Sequence, residues 1–198
     1  MIDSIKITPP YYIDIQAESN QIAFSMPSDL QTGSLLDILV SSKPGGEFLE
    51  LGTGTGLALA WIVSAMQEDS RVISVDNNPT YIAIAKKYFD KDKRVSIHYE
   101  DASQWILNNQ HRRFDLIFAD AWPGKYEKLN ETLSLLKKGG FYVIDDMLPQ
   151  PNWPIEHPKN VQRLLKELAQ RSDIKLIKMN WSTGIIIAIK IIPDEFDL

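Results

Sequence analysis

Acidic side chains stand at or just beyond the ends of several short apolar runs in this sequence. The members of this set are Glu50, Asp76, Asp101, Asp120, Asp145 and Asp146. Carboxylates hydrogen-bond ribose hydroxyls, accept protons, and supply the hard oxygen ligands that Mg²⁺ prefers. One such acid would mean little, but acids at successive strand ends predict a binding site along one edge of a sheet.

A glycine-rich turn, FLELGTGTG over residues 48–56, is the second feature with chemical meaning. Apolar residues up to Leu51 predict a buried strand, and the glycines allow a tight turn and a close backbone approach to a ligand before a helix. These glycines do not follow the Gly-x-Gly-x-x-Gly spacing of a dinucleotide fingerprint. We therefore expect a nucleotide-containing cofactor at this turn, with a plain glycine loop as the alternative.

Asp76 follows the next predicted strand, residues 71–75, and lies about 20 residues beyond Gly56, where α/β nucleotide folds hydrogen-bond ribose hydroxyls. The segment Asp76-Asn77-Asn78-Pro79 also suits the start of a helix, so an N-cap is a second interpretation. Both roles stay open, and the position favours the ribose role.

The elements that would position these residues alternate between strands and helices. Apolar runs predict strands at 48–51, 71–75, 94–98, 114–119, 141–144, 174–179 and 185–192. This alternation predicts an α/β fold with a Rossmann-like, doubly wound seven-stranded sheet that is mostly parallel. No helix separates the last two strands, which predicts an antiparallel last pair. Ligands bind at the carboxyl ends of the strands in such sheets, where the acids would gather.

Two helix boundaries carry local signals. Residues 28–31 have the form of a capping box, which predicts a helix that begins after the serine. Leu129, Leu133 and Leu136 form an apolar stripe, and the basic and glycine residues at 137–140 predict the end of that helix.

The 198 residues fit one domain, 1–198, in which residues 1–27 predict an extended arm or short helix that could cover the active site. The absence of cysteine excludes disulfides and thiolate chemistry, and we expect a cytoplasmic location. A net charge of −5 with scattered basic residues argues against nucleic acid as a partner. No leader pattern or long apolar run is present, so we expect neither secretion nor a membrane partner.

The later loops make the sequence resemble a class I S-adenosylmethionine-dependent O-methyltransferase of the bacterial catechol and caffeoyl-CoA type. Residues 50–56 match motif I of that family, and 102–104, Ala-Ser-Gln, match the segment that contacts adenine. Asp120-x-Trp122 with Tyr126 matches the loop after the fourth strand. Asp145-Asp146 stands where the family carries Asp-Asn.

The resemblance runs over most of the chain and implies a site for S-adenosylmethionine. The residues implied in cofactor binding are Glu50, Gly52, Thr53, Gly54, Gly56, Asp76, Asn77, Asp101, Ala102, Ser103 and Asp120. Glu50 and the glycines would hold the methionine portion, Asp76 the ribose, and residues 101–104 the adenine. The resemblance also implies a divalent metal, Mg²⁺ or a similar cation, held by Asp120, Asp145 and Asp146.

Methyl transfer from a sulfonium to an oxygen is an in-line displacement, so the protein must align the acceptor with the methyl group and supply a deprotonated hydroxyl. A bound Mg²⁺ lowers the hydroxyl pKa and orients both oxygens of a catechol. We therefore expect transfer to a hydroxyl of a small catechol-like or phenolic acceptor, walled by Trp122, Met147 and Trp153. A homodimer is compatible with the sequence.

Two departures from the family pattern leave alternatives open. Asp146 replaces the asparagine and adds a negative charge to the predicted metal site, and Pro123 stands where catechol-type enzymes carry a catalytic lysine. Lys125 is the nearest substitute as general base, together with Asp120 as the second catalytic residue; the alternative is a solvated surface lysine. His157 is the histidine to consider as a base in a metal-free reaction.

Three rival hypotheses stand beside this one. The first is a metal-independent methyltransferase of another small molecule, and the second is an NAD-binding oxidoreductase. The oxidoreductase predicts stabilisation by NAD rather than by S-adenosylhomocysteine, and its glycine fingerprint is incomplete here. The third is a non-catalytic cofactor-binding protein, which predicts cofactor binding that survives Asp120→Ala without methyl transfer to any acceptor.

Overall fold

The computed structural model describes Ile5 and residues 7–192; residues 1–4 and 6 of the predicted arm and residues 193–198 of the predicted domain lie outside the described residues. The helices are α1 (Tyr12–Gln21), α2 (Leu30–Ser41), α3 (Leu57–Ala65), α4 (Pro79–Phe89), α5 (Ala102–Asn108), α6 (Leu129–Ser134) and α7 (His157–Ala169). The strands are β1 (Glu47–Leu51), β2 (Arg71–Asp76), β3 (Val95–Tyr99), β4 (Phe114–Ala119), β5 (Leu136–Ile144), β6 (Ile174–Met179) and β7 (Ile185–Lys190).

The described strands form one seven-stranded sheet in the order β3-β2-β1-β4-β5-β7-β6. Strands β1 to β5 pair in parallel, whereas β7 lies between β5 and β6 and is antiparallel to both. The predicted doubly wound sheet with an antiparallel last pair is confirmed. The strand order reverses beside β1, and the crevice at such a reversal is where α/β sheets bind ligands.

Both faces of the sheet are covered, which explains why Phe48, Leu49 and Leu51 of β1 are all apolar and buried. Phe48 packs on the face covered by α1 to α4, and Leu49 packs on the face covered by α5 to α7. Helix α3 is buried at every position from Leu57 to Ile62, as its uniformly apolar sequence requires. The glycine loop between β1 and α3 therefore joins two buried elements and cannot shift far.

The helix predicted over the leucine stripe is shorter than expected. Helix α6 ends at Ser134, and Leu136 belongs to β5, where it pairs with Phe114. Residues 137–140 therefore lie inside a strand, at a shift in the pairing of β4 with β5, and not at a helix end. The prediction was wrong because a leucine followed by basic residues suits either element, and pairing with a distant strand decides between them.

The start of α2 also differs from the prediction. Asp29 accepts a hydrogen bond of 2.8 Å from the amide of Thr32 and is the N-cap. Ser28 instead donates a hydrogen bond of 3.1 Å to Oδ2 of Asp120, far away in sequence. The arm before α2 contains a helix, α1. Among all the described helices, none combines the length and apolar character needed to cross a membrane.

Candidate active site

A cavity of about 440 Å³ opens at the carboxyl ends of β1, β2, β4 and β5. The predicted site residues that line it are Gly52, Gly54, Asp76, Asn77, Ala102, Asp120, Trp122, Lys125, Asp146, Trp153 and His157. The structure thus brings together residues from the glycine loop, the ends of three later elements and the start of α7. One space is therefore shared by the predicted cofactor residues and the predicted acceptor residues.

The glycine loop approaches the chain after β4 closely. Gly52 has a φ of 102°, and a Cβ at this position would lie 2.8 Å from the carbonyl oxygen of Asp120. Any side chain here would therefore clash with backbone as well as require a left-handed conformation. The sequence uses glycine at this point because the loops after β1 and β4 come into contact.

Asp76 connects the glycine loop to the end of β2. Its Oδ1 accepts a hydrogen bond of 2.8 Å from the amide of Asn78, and its Oδ2 accepts one from the amide of Gly54. The N-cap of α4 is Asn78, which accepts from the amides of Thr80 and Tyr81 at 3.0 and 3.2 Å. The N-cap interpretation of Asp76 was therefore wrong, and its carboxylate lines the cavity.

Three predicted cofactor residues lie behind the loop rather than in the cavity wall. Glu50 is fully buried and accepts a hydrogen bond from Ser74, while its other oxygen has no partner among the described residues. Burial raises the pKa of Glu50 well above its ordinary value, and the nearby charges of Asp120 and Asp76 raise it further. Thr53 hydrogen-bonds Ser74 at 2.5 Å, and Gly56 is the N-cap of α3. These residues shape the loop from beneath.

The segment predicted to contact adenine contributes one residue to the cavity lining, Ala102. Asp101 is exposed and caps α5 by accepting a hydrogen bond of 3.0 Å from the amide of Gln104. Ser103 donates a hydrogen bond of 3.3 Å to Glu127. The structure therefore gives Asp101 a capping role, and its role toward adenine stays a prediction.

Asp120, Asp145 and Asp146 line a second, smaller cavity of about 80 Å³. Asp145 accepts hydrogen bonds from the hydroxyl of Thr183 and from the amide of Asp146. Burial raises the pKa of Asp145 to about 6, and it raises the pKa of Asp120 well above its ordinary value; Asp145 raises that of Asp120 further. Clustered carboxylates with raised pKa values are stabilised by a nearby cation.

Lys125 is buried, with 2% of its surface exposed, and it lines the larger cavity. The interpretation as a solvated surface lysine was therefore wrong. Within the described residues its ammonium makes no ion pair or hydrogen bond, and it lies over the Tyr126 ring, 5.5 Å from the centroid. A buried cationic group that faces a cavity is a candidate for contact with a reacting oxygen.

Aromatic rings form one wall of the cavity. The ring of His157 stacks on Trp153 with a centroid distance of 4.2 Å and an interplanar angle of 18°, and Trp122 meets His157 edge-on. Burial lowers the pKa of His157, and the positive charge of Lys125 lowers it further, which favours the neutral form of the ring. Met147, predicted to contact the acceptor, packs in the core instead of lining this cavity.

Sequence reasoning missed several lining residues. These are Phe24, Met26, Val75, Asn78, Tyr81, Ala121, Pro123, Asn152 and Pro154. Phe24 meets Tyr81 edge-on at 4.8 Å and lies 3.0 Å from where a Cβ on Gly54 would stand. An aromatic residue in the predicted arm was the available signal, but contact with a loop 30 positions away leaves no local pattern.

The sequence and the fold both match known proteins. A provisionally named O-methyltransferase of Mycobacterium avium (strain 104) is 29% identical over 117 residues, which cover 57% of this chain and 53% of that protein. The chain thus spans about half the length of the curated relatives it matches.

Two solved structures have the same fold. The O-methyltransferase TomG of Streptomyces achromogenes, in complex with SAM, has a TM-score of 0.81, 20% identity, and coverage of 93% of this chain and 91% of its own. The O-methyltransferase of Bacillus cereus, in complex with SAH, has a TM-score of 0.81, 18% identity, and coverage of 95% and 94%.

A family model also matches the sequence, over a stretch that begins in α1 and ends just beyond β7. It takes in the glycine loop, Asp76, the three clustered aspartates and Lys125. Because the family model described as O-methyltransferase matches residues 14–191, the chain belongs to the O-methyltransferase family.

Proposed function

We propose that the protein transfers the methyl group of S-adenosylmethionine to a hydroxyl of a small catechol-like or phenolic acceptor. The observation that carries this proposal is the shared cavity, because the glycine loop and Asp76 line the same space as Lys125 and the aromatic wall. In-line transfer requires both reactants in one enclosed space.

The cofactor residues follow from the walls of this cavity. Asp76 would accept hydrogen bonds from ribose hydroxyls, and the backbone of Gly52 and Gly54 would hold the methionine portion. S-adenosylmethionine supplies a methyl group made electrophilic by its sulfonium. The protein orients the acceptor hydroxyl, excludes water and removes the hydroxyl proton.

Lys125 and Asp120 are the proposed catalytic residues. Lys125 faces the cavity from a buried position, which supports contact between its Nζ and the acceptor hydroxyl. As the free amine it would take the hydroxyl proton and become the ammonium. Asp120 lines both cavities and is held by Ser28, so it would fix the acceptor oxygen on the other side. Trp122 and Trp153 would pack against a flat acceptor ring.

A divalent cation is the proposed aid to this reaction, held by Asp120, Asp145 and Asp146. The oxygen donors and the shared small cavity fit Mg²⁺ in type, and a cation would offset the burial and the mutual repulsion that raise two of the pKa values. Among the described residues, no three His, Asp or Glu side chains form a preassembled metal site. Mg²⁺ is commonly held by one or two carboxylates with water and substrate oxygens, and it would lower the pKa of the acceptor hydroxyl.

The experiment is transfer of a labelled methyl group from S-adenosylmethionine to catechols and simple phenols, each with Mg²⁺ and with EDTA. The full proposal is supported if EDTA abolishes transfer and Asp120→Asn reduces it. The matched control is Asp90→Asn, which changes an exposed acid at the end of α4. Transfer that EDTA does not reduce would still support a methyltransferase, but it would contradict the proposed role of a metal.

Melting experiments separate the other hypotheses. Stabilisation by S-adenosylhomocysteine and not by NAD is expected, and the reverse result would support the oxidoreductase. Cofactor binding with no transfer to any acceptor would support the non-catalytic protein. The homodimer and the cytoplasmic location stay predictions.

A further inference from the structure

The turn that carries Lys125 has a rigid backbone. The carbonyl of Trp122 accepts hydrogen bonds from the amides of Lys125, Tyr126 and Glu127 at 3.1, 2.8 and 3.2 Å. Gly124 has a φ of 87°, and a Cβ there would lie 2.3 Å from a methyl carbon of Leu51. The main chain at position 125 is therefore fixed against the end of β1.

The side chain of Lys125 is buried but long, with four methylenes between its backbone and its terminal nitrogen. Within the described residues no hydrogen bond or ion pair holds its ammonium, and the contact that the structure records is with the ring of Tyr126. The position of that ring, together with the nearby carboxyl groups of Asp120 and Asp145, therefore determines where the ammonium lies.

The ring of Tyr126 is itself held by the first residue of α7. Its Oη lies 2.9 Å from Nε2 of His157, and the two rings meet edge-on with centroids 5.3 Å apart. His157 is buried and stacks on Trp153. A side-chain hydrogen bond thus connects the turn after β4 to the first residue of α7.

We infer that Tyr126 and His157 form a positioning pair that fixes Lys125 in the cavity. This inference rests on the proposed function, in which Lys125 takes the acceptor proton. The lysine stands two residues beyond the position directly after Trp122, on a turn with a fixed backbone, and the pair positions its side chain. His157 accordingly acts through Tyr126 and not as a base, since its Nε2 is engaged by the tyrosine hydroxyl.

The first test measures the lysine itself, in protein labelled with ¹³C at the lysine ε-carbon. The Lys125 resonance is identified by its absence from Lys125→Met, and in the wild type we expect a ring-current shift that Tyr126→Leu removes. His157→Phe keeps the stacking surface without the hydrogen bond and should move the resonance toward those of the exposed lysines. His157→Gln restores a hydrogen-bonding nitrogen and should restore the shift. A resonance that stays in place in His157→Phe overturns the inference.

The second test uses kinetics with a matched double mutant. Loss of one hydrogen bond predicts a fall in kcat of about fivefold in His157→Phe, with the KM for S-adenosylmethionine unchanged and recovery in His157→Gln. In a Lys125→Met background the same substitution should cost nothing further. An equal fall in kcat in both backgrounds would show that His157 has a purely structural role. Failure of the proposed function is distinguishable, because it abolishes methyl transfer and leaves the lysine resonance as expected.

Discussion

The amide of Gly54 donates a hydrogen bond of 2.8 Å to Oδ2 of Asp76, so the loop after β1 and the end of β2 form one unit. Asp76→Ala removes this bond together with the proposed ribose contact. Because hydrogen bonds to a charged group contribute about 1.5–3 kcal/mol, we expect the affinity for S-adenosylhomocysteine to fall at least about tenfold. Isothermal titration calorimetry measures this change.

The control for Asp76 is Asp90→Ala, which removes an exposed carboxylate at the far end of α4. Its affinity for S-adenosylhomocysteine should equal that of the wild type. Equal losses in both variants would mean that net charge, and not the contact of Asp76, determines cofactor binding.

Phe24 extends the cofactor site into the arm before α2. Its ring lies against Gly54 and Tyr81, so Phe24→Ala should open the cavity to water and weaken S-adenosylhomocysteine binding several-fold, roughly the effect of losing one aromatic contact. Ile22→Ala, two residues earlier and outside the cavity lining, is the comparison. Binding that is unchanged in Phe24→Ala would exclude the arm from the cofactor site.

Alanine substitutions at two glycines with positive φ distinguish the free-energy cost of a left-handed backbone from the cost of a steric clash. Gly139 has a φ of 76° and open space around its Cβ position, so Gly139→Ala should cost only the left-handed conformation, about 1–2 kcal/mol of unfolding free energy. Gly124→Ala adds a clash with Leu51, and such overpacking costs about 1–3 kcal/mol more. Urea denaturation of both variants tests this order, and equal losses would contradict it.

Asp145 gives a pH dependence of stability with a definite sign. Burial raises its pKa to about 6, above its ordinary value near 4. The protonated form of Asp145 therefore contributes to the free energy of unfolding, and this contribution is fully present below pH 4 and is lost as the pH rises through 6. Without metal, Asp145→Asn keeps the acceptor for Thr183 and removes the buried charge. The variant should therefore melt at a higher temperature than the wild type at pH 7.5 in EDTA, and at the same temperature at pH 4.

Asp173 is a control, because its effect on stability should depend on pH in the opposite direction. Its hydrogen bonds with Arg171 lower its pKa, so its contribution is present at neutral pH and is lost as the pH falls through the lowered value. Asp173→Asn should melt below the wild type at pH 7.5, with the difference shrinking in acid. If both variants shift in one direction at pH 7.5, burial is not what raises the pKa of Asp145.

The sheet and most of the cavity were predictable because their signals are local. An apolar run that ends in an acid defines a strand and its carboxyl end, and parallel pairing then brings Asp76 and Asp120 to one edge. The boundary near Leu136 was not predictable, because the choice between helix and strand depends on pairing with Phe114 across the sheet.

The burial of Lys125 was equally hidden from the sequence. A lysine that follows proline and glycine has the composition of a surface turn, yet the folded chain buries it. The partnership of Tyr126 with His157 spans 31 positions and two unrelated elements. Side-chain pairs of this kind have no periodicity, so spacing rules cannot detect them.

The position of β7 between β5 and β6 has a consequence for synthesis on the ribosome. Thr183, which donates to Asp145, lies just before β7, and β7 covers the edge of β5 that leads to this aspartate. A nascent chain whose residues 174–190 are still in the exit tunnel can pair β1 to β5, but it leaves that edge open and Asp145 without its hydroxyl partner. The cluster of aspartates is therefore completed only when the last hairpin emerges, which makes it the final part of the sheet edge to mature.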